Sequence, residues 1–302
     1  MTTPVRVAVP RKGRPLEAVL DRLAGCADAT SVADDVVSTL RYEKALAKDE
    51  QTDDRGVYER LAAYSTPEDP QRPDYTLLRD ARAGKPRRIV FDSLSLDLDG
   101  TPVQLIGREE PFRALRTHEF ALGFDSADLV LEEVVQLRPE PLSTIADLNA
   151  RIDPHDTDVR VVSGLGDTVY HTLLATPAAS HSVDADGLDR GFLTEYEGEV
   201  CISPRYERLV EAVLGTDATE GVSFVYPDAG REEEAAIADA GVGVYLTVTG
   251  STARDNGLDV GERLFPSETV LMENRSEATG DDVEAVQRAL TTEQSETAIP
   301  PQ

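Results

Sequence analysis

Short runs of β-branched and apolar residues alternate along most of this chain with stretches whose apolar residues recur at spacings of three and four, and few folds accommodate that alternation. The first run is Val5-Arg6-Val7-Ala8-Val9; beyond a short loop, Pro15 suits a first helical position and Leu16, Val19, Leu20 and Leu23 fall on one helical face. Further strands are expected at 88–91, 101–106, 120–124, 134–137, 158–162, 199–202, 222–226, 244–248 and 268–272. Helices are expected at 39–47, 56–63, 126–133, 167–175, 206–214, 231–238 and 281–290. Asp99-Gly100 reads as the tight turn of a hairpin, residues 176–188 as a loop, and Pro139 with Pro141 as a hinge. The pattern predicts an α/β fold with mainly parallel sheets. A length of 302 residues allows two domains, each with its own core.

One strand leads into unusual chemistry. Val244 to Val248 runs into Thr249-Gly250-Ser251-Thr252 and then a short helix ending near Gly257. Gly250 lets the backbone approach an anion, Ser251 and Thr252 offer hydroxyl donors, and the first amides of the helix point at the same spot, as a phosphate monoester requires. The same four residues also suit an ordinary helix N-cap, so the turn alone does not decide.

A second segment adds weight. Arg11-Lys12-Gly13-Arg14 places three cations at the carboxyl end of the first strand, in a chain whose formal charge is −27. That cluster suits a diphosphate better than a single phosphate. A solvated loop pairing with surrounding carboxylates is the alternative. Ser163-Gly164-Leu165-Gly166-Asp167 reads either as another anion nest or, more simply, as a strand-to-helix turn with Asp167 as N-cap.

Taken together these segments resemble the catalytic chain of ATP phosphoribosyltransferase, the first enzyme of histidine biosynthesis. The shared features are the amino-terminal strand with Pro-x-Lys-Gly-Arg and the later Thr-Gly-x-Thr-x-Arg-x-Asn-Gly-Leu. Arg108-Glu109-Glu110-Pro111, the stretch from Gly123 through Asp128 to Glu132, Gly198 to Tyr206, and Ser267 to Asn274 match in the same order. The resemblance implies two α/β lobes of the type II periplasmic-binding-protein kind with a ligand cleft between them. Lobe I would span 1–138, with 266–290 returning to it and a polar insertion at about 41–86; lobe II would span 139–265, and 291–302 would be a disordered tail. It also implies transfer of the phosphoribosyl group of 5-phosphoribosyl 1-diphosphate to a purine nucleotide, with Mg²⁺ sharing the diphosphate charge. On that likeness Lys12 and Arg14 serve catalysis at the diphosphate, Thr249, Gly250, Ser251, Thr252 and Arg254 bind the 5-phosphate, Glu232 binds the ribose, and Arg108 reaches toward the nucleotide phosphates.

The chain also departs from that pattern. Tyr245 stands where the family carries a ribose-binding aspartate, and this favours the alternative of a noncatalytic phosphoribosyl-diphosphate sensor or accessory subunit. The insertion at 41–86 has no family counterpart, and the segment 151–189 is longer than the family's and unfamiliar. The end of the chain offers one helix and a tail, so no regulatory domain is expected after the catalytic part.

Composition bounds the setting. Only four of thirty basic residues are lysine, and the large negative charge is the surface expected of a protein working in concentrated salt, where screening makes self-repulsion tolerable. Nucleic acid and anionic membrane are poor partners for such a surface; small sugar phosphates and nucleotides are the expected ligands, and a homo-oligomer is compatible with the pattern. No apolar leader or bilayer-length stretch is present, which points to a cytoplasmic protein. Cys26 and Cys201 are expected as buried thiols. The four histidines show no metal spacing, and His171 is expected as a packed side chain rather than a ligand. Asp153, Asp156 and Asp158 form an acidic cluster that reads either as a divalent-cation site or, more simply, as one of the clusters this composition produces by chance.

Overall fold

A computed structural model describes residues 3–26, 29–66, 68–79, 87–183, 185, 187–228 and 232–291. In chain order its elements are β1 (Val5–Pro10), α1 (Arg14–Cys26), α2 (Thr30–Ala47), α3 (Val57–Tyr64), β2 (Asp74–Arg79), β3 (Arg87–Leu98), β4 (Thr101–Arg108), α4 (Pro111–Arg116), β5 (Leu122–Ser126) and α5 (Ala127–Val134). There follow β6 (Val159–Gly164), β7 (Val169–Ala175), α6 (Pro177–Ser180), α7 (Arg190–Glu195), β8 (Gly198–Cys201), α8 (Glu207–Leu214), α9 (Thr216–Thr219) and β9 (Val222–Val225). The last are α10 (Glu233–Ala240), β10 (Val242–Thr247), α11 (Ser251–Asp255), β11 (Asp259–Ser267), β12 (Thr269–Asn274) and α12 (Asp281–Thr291). Two compact units result: Met1–Asp125 with Asp158–Asp167 and Thr269–Gln302, and Ser126–Thr157 with Thr168–Glu268.

The first unit is built on a seven-stranded sheet in the order β2-β3-β4-β1-β5-β12-β6. β1 lies inside it, parallel to β4 and β5. Arg6 near its start is exposed, but from Val7 on it has no solvent side to alternate with, and Val7, Ala8 and Val9 are all fully buried. Helix α1 buries the face its spacing announced: Leu16, Val19, Leu20 and Leu23 join a core that includes Val36 of α2 and Val286 and Leu290 of α12. Each such leucine contributes about 1.5–3 kcal/mol by leaving water, so a charge at Leu20 would break the contact. The Asp99-Gly100 turn is as expected, with both residues at positive φ (50° and 86°) between Leu98 and Thr101.

The second unit has a five-stranded sheet, β11-β7-β10-β8-β9. β8, β9 and β10 pair in parallel, whereas β7 runs antiparallel to both β10 and β11. One core cluster of this unit joins Leu174, Cys201, Ala236, Ile237, Ala253 and Leu258, which fixes α10 and α11 on a common base. Cys201 is a buried free thiol.

Several expectations are corrected. Residues 167–175 are not a helix: Val169–Ala175 is the strand β7, whose β-branched and aromatic residues fit a sheet interior, and Asp167 caps no helix. Both sheets are mixed rather than mainly parallel. Residues 134–137 form no crossing strand; α5 continues through Val134, and Val135 makes only an isolated bridge to Ile152. The polar insertion adds the edge strand β2 to its two helices, and β11 forms despite Gly261 and Pro266, which suit an edge with register shifts. The 176–188 segment contains the single turn α6. Residues 80–86 of the insertion, the start of the expected helix at 231, the 292–302 part of the expected tail, and the side chain of Cys26 lie outside the described residues.

Candidate functional site

In the first unit the Lys12–Arg14 loop leaves the carboxyl end of β1 directly beside the carboxyl end of β4, since Pro10 is in register with Arg108. Ligands of open α/β sheets gather at such strand ends. Arg11 ties the two ends together by donating from Nε to the Gly107 carbonyl at 3.1 Å. Gly107 admits no side chain, because a Cβ would lie 2.5 Å from the Phe91 carbonyl oxygen. Lys12 Nζ pairs with Glu109 at 3.3 Å, both side chains being partly exposed. Such an exposed pair is worth at most about 1 kcal/mol.

Arg14 is more firmly engaged. Its guanidinium donates to the Asp167 backbone carbonyl and pairs with the Asp167 carboxylate at 3.3 Å. The same carboxylate accepts from the Thr269 amide at 2.7 Å and the Thr269 hydroxyl at 2.8 Å. Arg108 sits over the Phe120 ring at 4.9 Å and lies 3.6 Å from Glu119. Lys12, Arg14 and Arg108 are thus all placed by strand ends of one sheet.

In the second unit the Thr249–Thr252 turn has the form its sequence announced. Gly250 is the N-cap of α11 in the left-handed region, φ 71°, and a Cβ there would also meet Val260 Cγ2 at 2.9 Å. Conformation and space both require glycine. The Thr249 and Ser251 hydroxyls lie 3.1 Å apart on the exposed side. The helical ladder begins only with Arg254 N to Gly250 O; of the amides before it at the positive end of the short helix, that of Ser251 donates to the Thr249 hydroxyl at 3.4 Å. Arg254 braces the turn by donating to the Thr249 carbonyl at 3.0 Å.

Glu232 is the exposed N-cap residue of α10, and α10 packs on the same core cluster as α11. Tyr245, partly buried against that cluster, has its phenol pushed up to about 12 by burial and by the nearby Glu233 and Glu234 carboxylates. It is a neutral side chain at ordinary pH and cannot replace a carboxylate. The spacing of Asp128 and Glu132 gave no hint of a structural use that the fold reveals. Asp128 accepts from Ser267 at 2.8 Å and lies 3.2 Å from His171 Nε2, all three buried. His171 also meets Tyr206 edge-on, with centroids 5.1 Å apart, as a packed residue should. Glu132 accepts from the Leu209 amide at 3.0 Å near the start of α8, and burial raises its carboxyl above the usual range. Among the described residues no three His, Cys, Asp or Glu side chains converge as a metal site, and no helix is long and apolar enough to cross a membrane.

A strand-end lysine and arginine loop in one unit and a glycine-centred hydroxyl turn in the other are the two landmarks of the sequence resemblance, and a family comparison decides it. The family model of halobacterial ATP phosphoribosyltransferase matches residues 1–301. The chain belongs to that family. The two units, each with its own sheet and helices, give the α/β class that the sequence predicted. Among solved structures, the chain is similar to an ATP phosphoribosyl transferase (HisG:HisZ) complex from Thermotoga maritima, at 13% identity and TM-score 0.42, over 95% of this chain and 98% of that one. It is also similar to the periplasmic VFT2 domain of Bordetella pertussis BvgS, at 13% identity and TM-score 0.31, over 63% of this chain and 70% of that one. The ancestral amino acid-binding protein AncCDT-1 is similar at 9% identity and TM-score 0.34, over 64% and 72% of the two chains. No curated protein matches.

Proposed function

We propose that this member of the halobacterial ATP phosphoribosyltransferase family binds 5-phosphoribosyl 1-diphosphate and transfers its phosphoribosyl group to a purine nucleotide. The observation that carries the reading is the turn at Gly250, whose left-handed backbone presents two hydroxyls 3.1 Å apart together with the first amides of α11. Thr249, Ser251 and Thr252 hold the 5-phosphate, with Arg254 bracing the turn. Lys12 receives the diphosphate by leaving Glu109, and Arg14, anchored on Asp167, fixes the loop that presents it. As the bond from carbon 1 to the diphosphate breaks and a purine nitrogen takes its place, these cations stabilise the charge that develops on the leaving group.

Mg²⁺ belongs to the same proposal. Mg²⁺ is commonly held by substrate phosphates with one or two carboxylates, and Glu109, half-exposed beside Lys12, is the carboxylate that fits. When bound it adds countercharge to the diphosphate. We also propose a working medium of concentrated salt, which the charge of −27 supports. The second reading, a noncatalytic sensor, is favoured by Tyr245, whose neutral phenol supplies no carboxylate to the ribose.

Pyrophosphate release from 5-phosphoribosyl 1-diphosphate and ATP in molar KCl tests both. Release that depends on ATP supports the transferase. Binding without release selects the sensor, and absence of binding overturns both. Lys12→Ala should weaken the diphosphate far more than ribose 5-phosphate; equal losses would remove its assigned role.

A further inference from the structure

Within the first unit, the polar insertion and α2 enclose a cavity of about 230 Å³. One wall is α2, which contributes Asp35, Ser38 and Thr39, three residues that its i, i+3, i+4 spacing sets on one face. The facing wall is the insertion, with Tyr64 of α3, Arg72 of the loop before β2, and Tyr75 of β2. Drug-sized ligands occupy roughly 300–1,000 Å³, so this smaller space suits a molecule of a few heavy atoms.

Asp35 and Arg72 bring opposite charges to this one space, yet neither forms an ion pair among the described residues. Scarcity of acids does not explain that of Arg72, since the chain holds 57 Asp and Glu residues. The other polar groups divide in the same way. Ser38 and Thr39 set hydroxyl oxygens beside Asp35 that can accept, while the Gln71 amide next to Arg72 can donate. The frame around them is already satisfied. Tyr64 and Tyr75 meet edge to face with centroids 5.9 Å apart, and the Tyr64 phenol donates at 3.1 Å to the buried Glu43, which Arg60 also holds at 2.7 Å. The Tyr75 amide donates to the Ser65 hydroxyl at 3.1 Å. A rigid frame thus leaves two separated, opposite charges facing one small space.

We infer that this cavity binds a small zwitterion, whose ammonium faces Asp35 and Ser38 on α2 and whose carboxylate faces Arg72 on the insertion. The planar guanidinium suits a carboxylate, which it can meet with two parallel hydrogen bonds. Val32 and Pro73 give an apolar remainder that accepts a short side chain. No residue of the cavity belongs to the Lys12–Arg14 loop or to the Thr249–Thr252 turn, so the inference does not rest on the phosphoribosyl reading.

Ligand-observed NMR titration of the full chain with glycine, alanine, acetate and methylamine tests the site. Glycine or alanine should bind about tenfold or more tighter than acetate or methylamine, each of which lacks one of the two charges. Asp35→Asn and Arg72→Gln alter exposed positions, and each should weaken glycine and alanine about tenfold. Asp34→Asn, also exposed on α2 but absent from the lining, should stay within about twofold of the unaltered protein. Acetate as tight as the amino acids would leave only an anion at Arg72, and methylamine as tight only a cation at Asp35; either result overturns the inference. Absence of glycine and alanine binding overturns it too, as does unchanged affinity in Asp35→Asn and Arg72→Gln or an equal loss in Asp34→Asn. Ribose 5-phosphate titrated in parallel reports on the Thr249–Thr252 turn alone, so failure there sinks the phosphoribosyl reading and leaves the cavity standing.

Discussion

Asp167 holds Thr269 by two hydrogen bonds, 2.7 Å to the amide and 2.8 Å to the hydroxyl, and holds Arg14 by an ion pair on the same carboxylate. One side chain therefore couples the start of β12 to the loop that follows β1. Asp167→Ala should lower unfolding stability by about 1–3 kcal/mol, the cost of leaving polar groups unmatched, and weaken diphosphate binding because Arg14 loses its anchor. Asp167→Asn, which can still accept from the Thr269 amide, should lose less. Urea titration of the two variants checks the order.

Gly250→Ala should abolish ribose 5-phosphate binding and cost about 1–3 kcal/mol of stability, since it forces a side chain into a left-handed backbone and against Val260. Adding Val260→Ala removes the contact but not the backbone strain. The pair should therefore recover only part of the stability, as read by thermal unfolding.

Asp128→Ala removes the carboxylate that the His171 ring and the Ser267 hydroxyl both meet in a buried place. A loss of about 3 kcal/mol is expected from breaking a buried ionisable network. Chemical denaturation measures it; a loss under about 1 kcal/mol would show that the network contributes little.

Alkaline titration separates the tyrosines. Burial pushes Tyr64, Tyr75 and Tyr245 up to about 12, above the ordinary value of 10. Because these phenols stay protonated in the folded chain while unfolded ones ionise, their contribution to stability is complete below pH 10 and is lost as pH rises toward 12. Tyrosinate absorbance should show this late group, and Tyr245→Phe should remove one member of it.

Raising KCl from about 0.1 M to above about 1 M shortens the screening length from ~10 Å to ~3 Å. With a net charge of −27, the thermal midpoint should rise across that range. A midpoint that falls or stays level would remove the proposed salt-adapted setting.

Much of the fold was legible because local signals and tertiary context agreed. The spacing of Leu16, Val19, Leu20 and Leu23 announced the buried face of α1, and Asp99-Gly100 announced its hairpin. At 167–175 the two disagreed. Val169, Leu173 and Leu174 fit a helical spacing as well as a buried strand, and only the flanking β10 and β11 decide for a strand. The Gly250 turn was readable because contiguous residues carry the whole geometry. The cavity between Asp35 and Arg72 was not, since the two face one space only when the insertion packs against α2. Asp167 was read as a helix cap because its partner Thr269 lies 102 residues further on.

β12 occupies an interior place in the seven-stranded sheet, between β5 and β6, although it is the last strand of the chain. During synthesis that sheet stays split until residue 274 has left the ribosome, while every strand of the five-stranded sheet has already emerged. Until then the edges of β5 and β6 that β12 joins stay open, the kind of unpaired edge at which strands mispair.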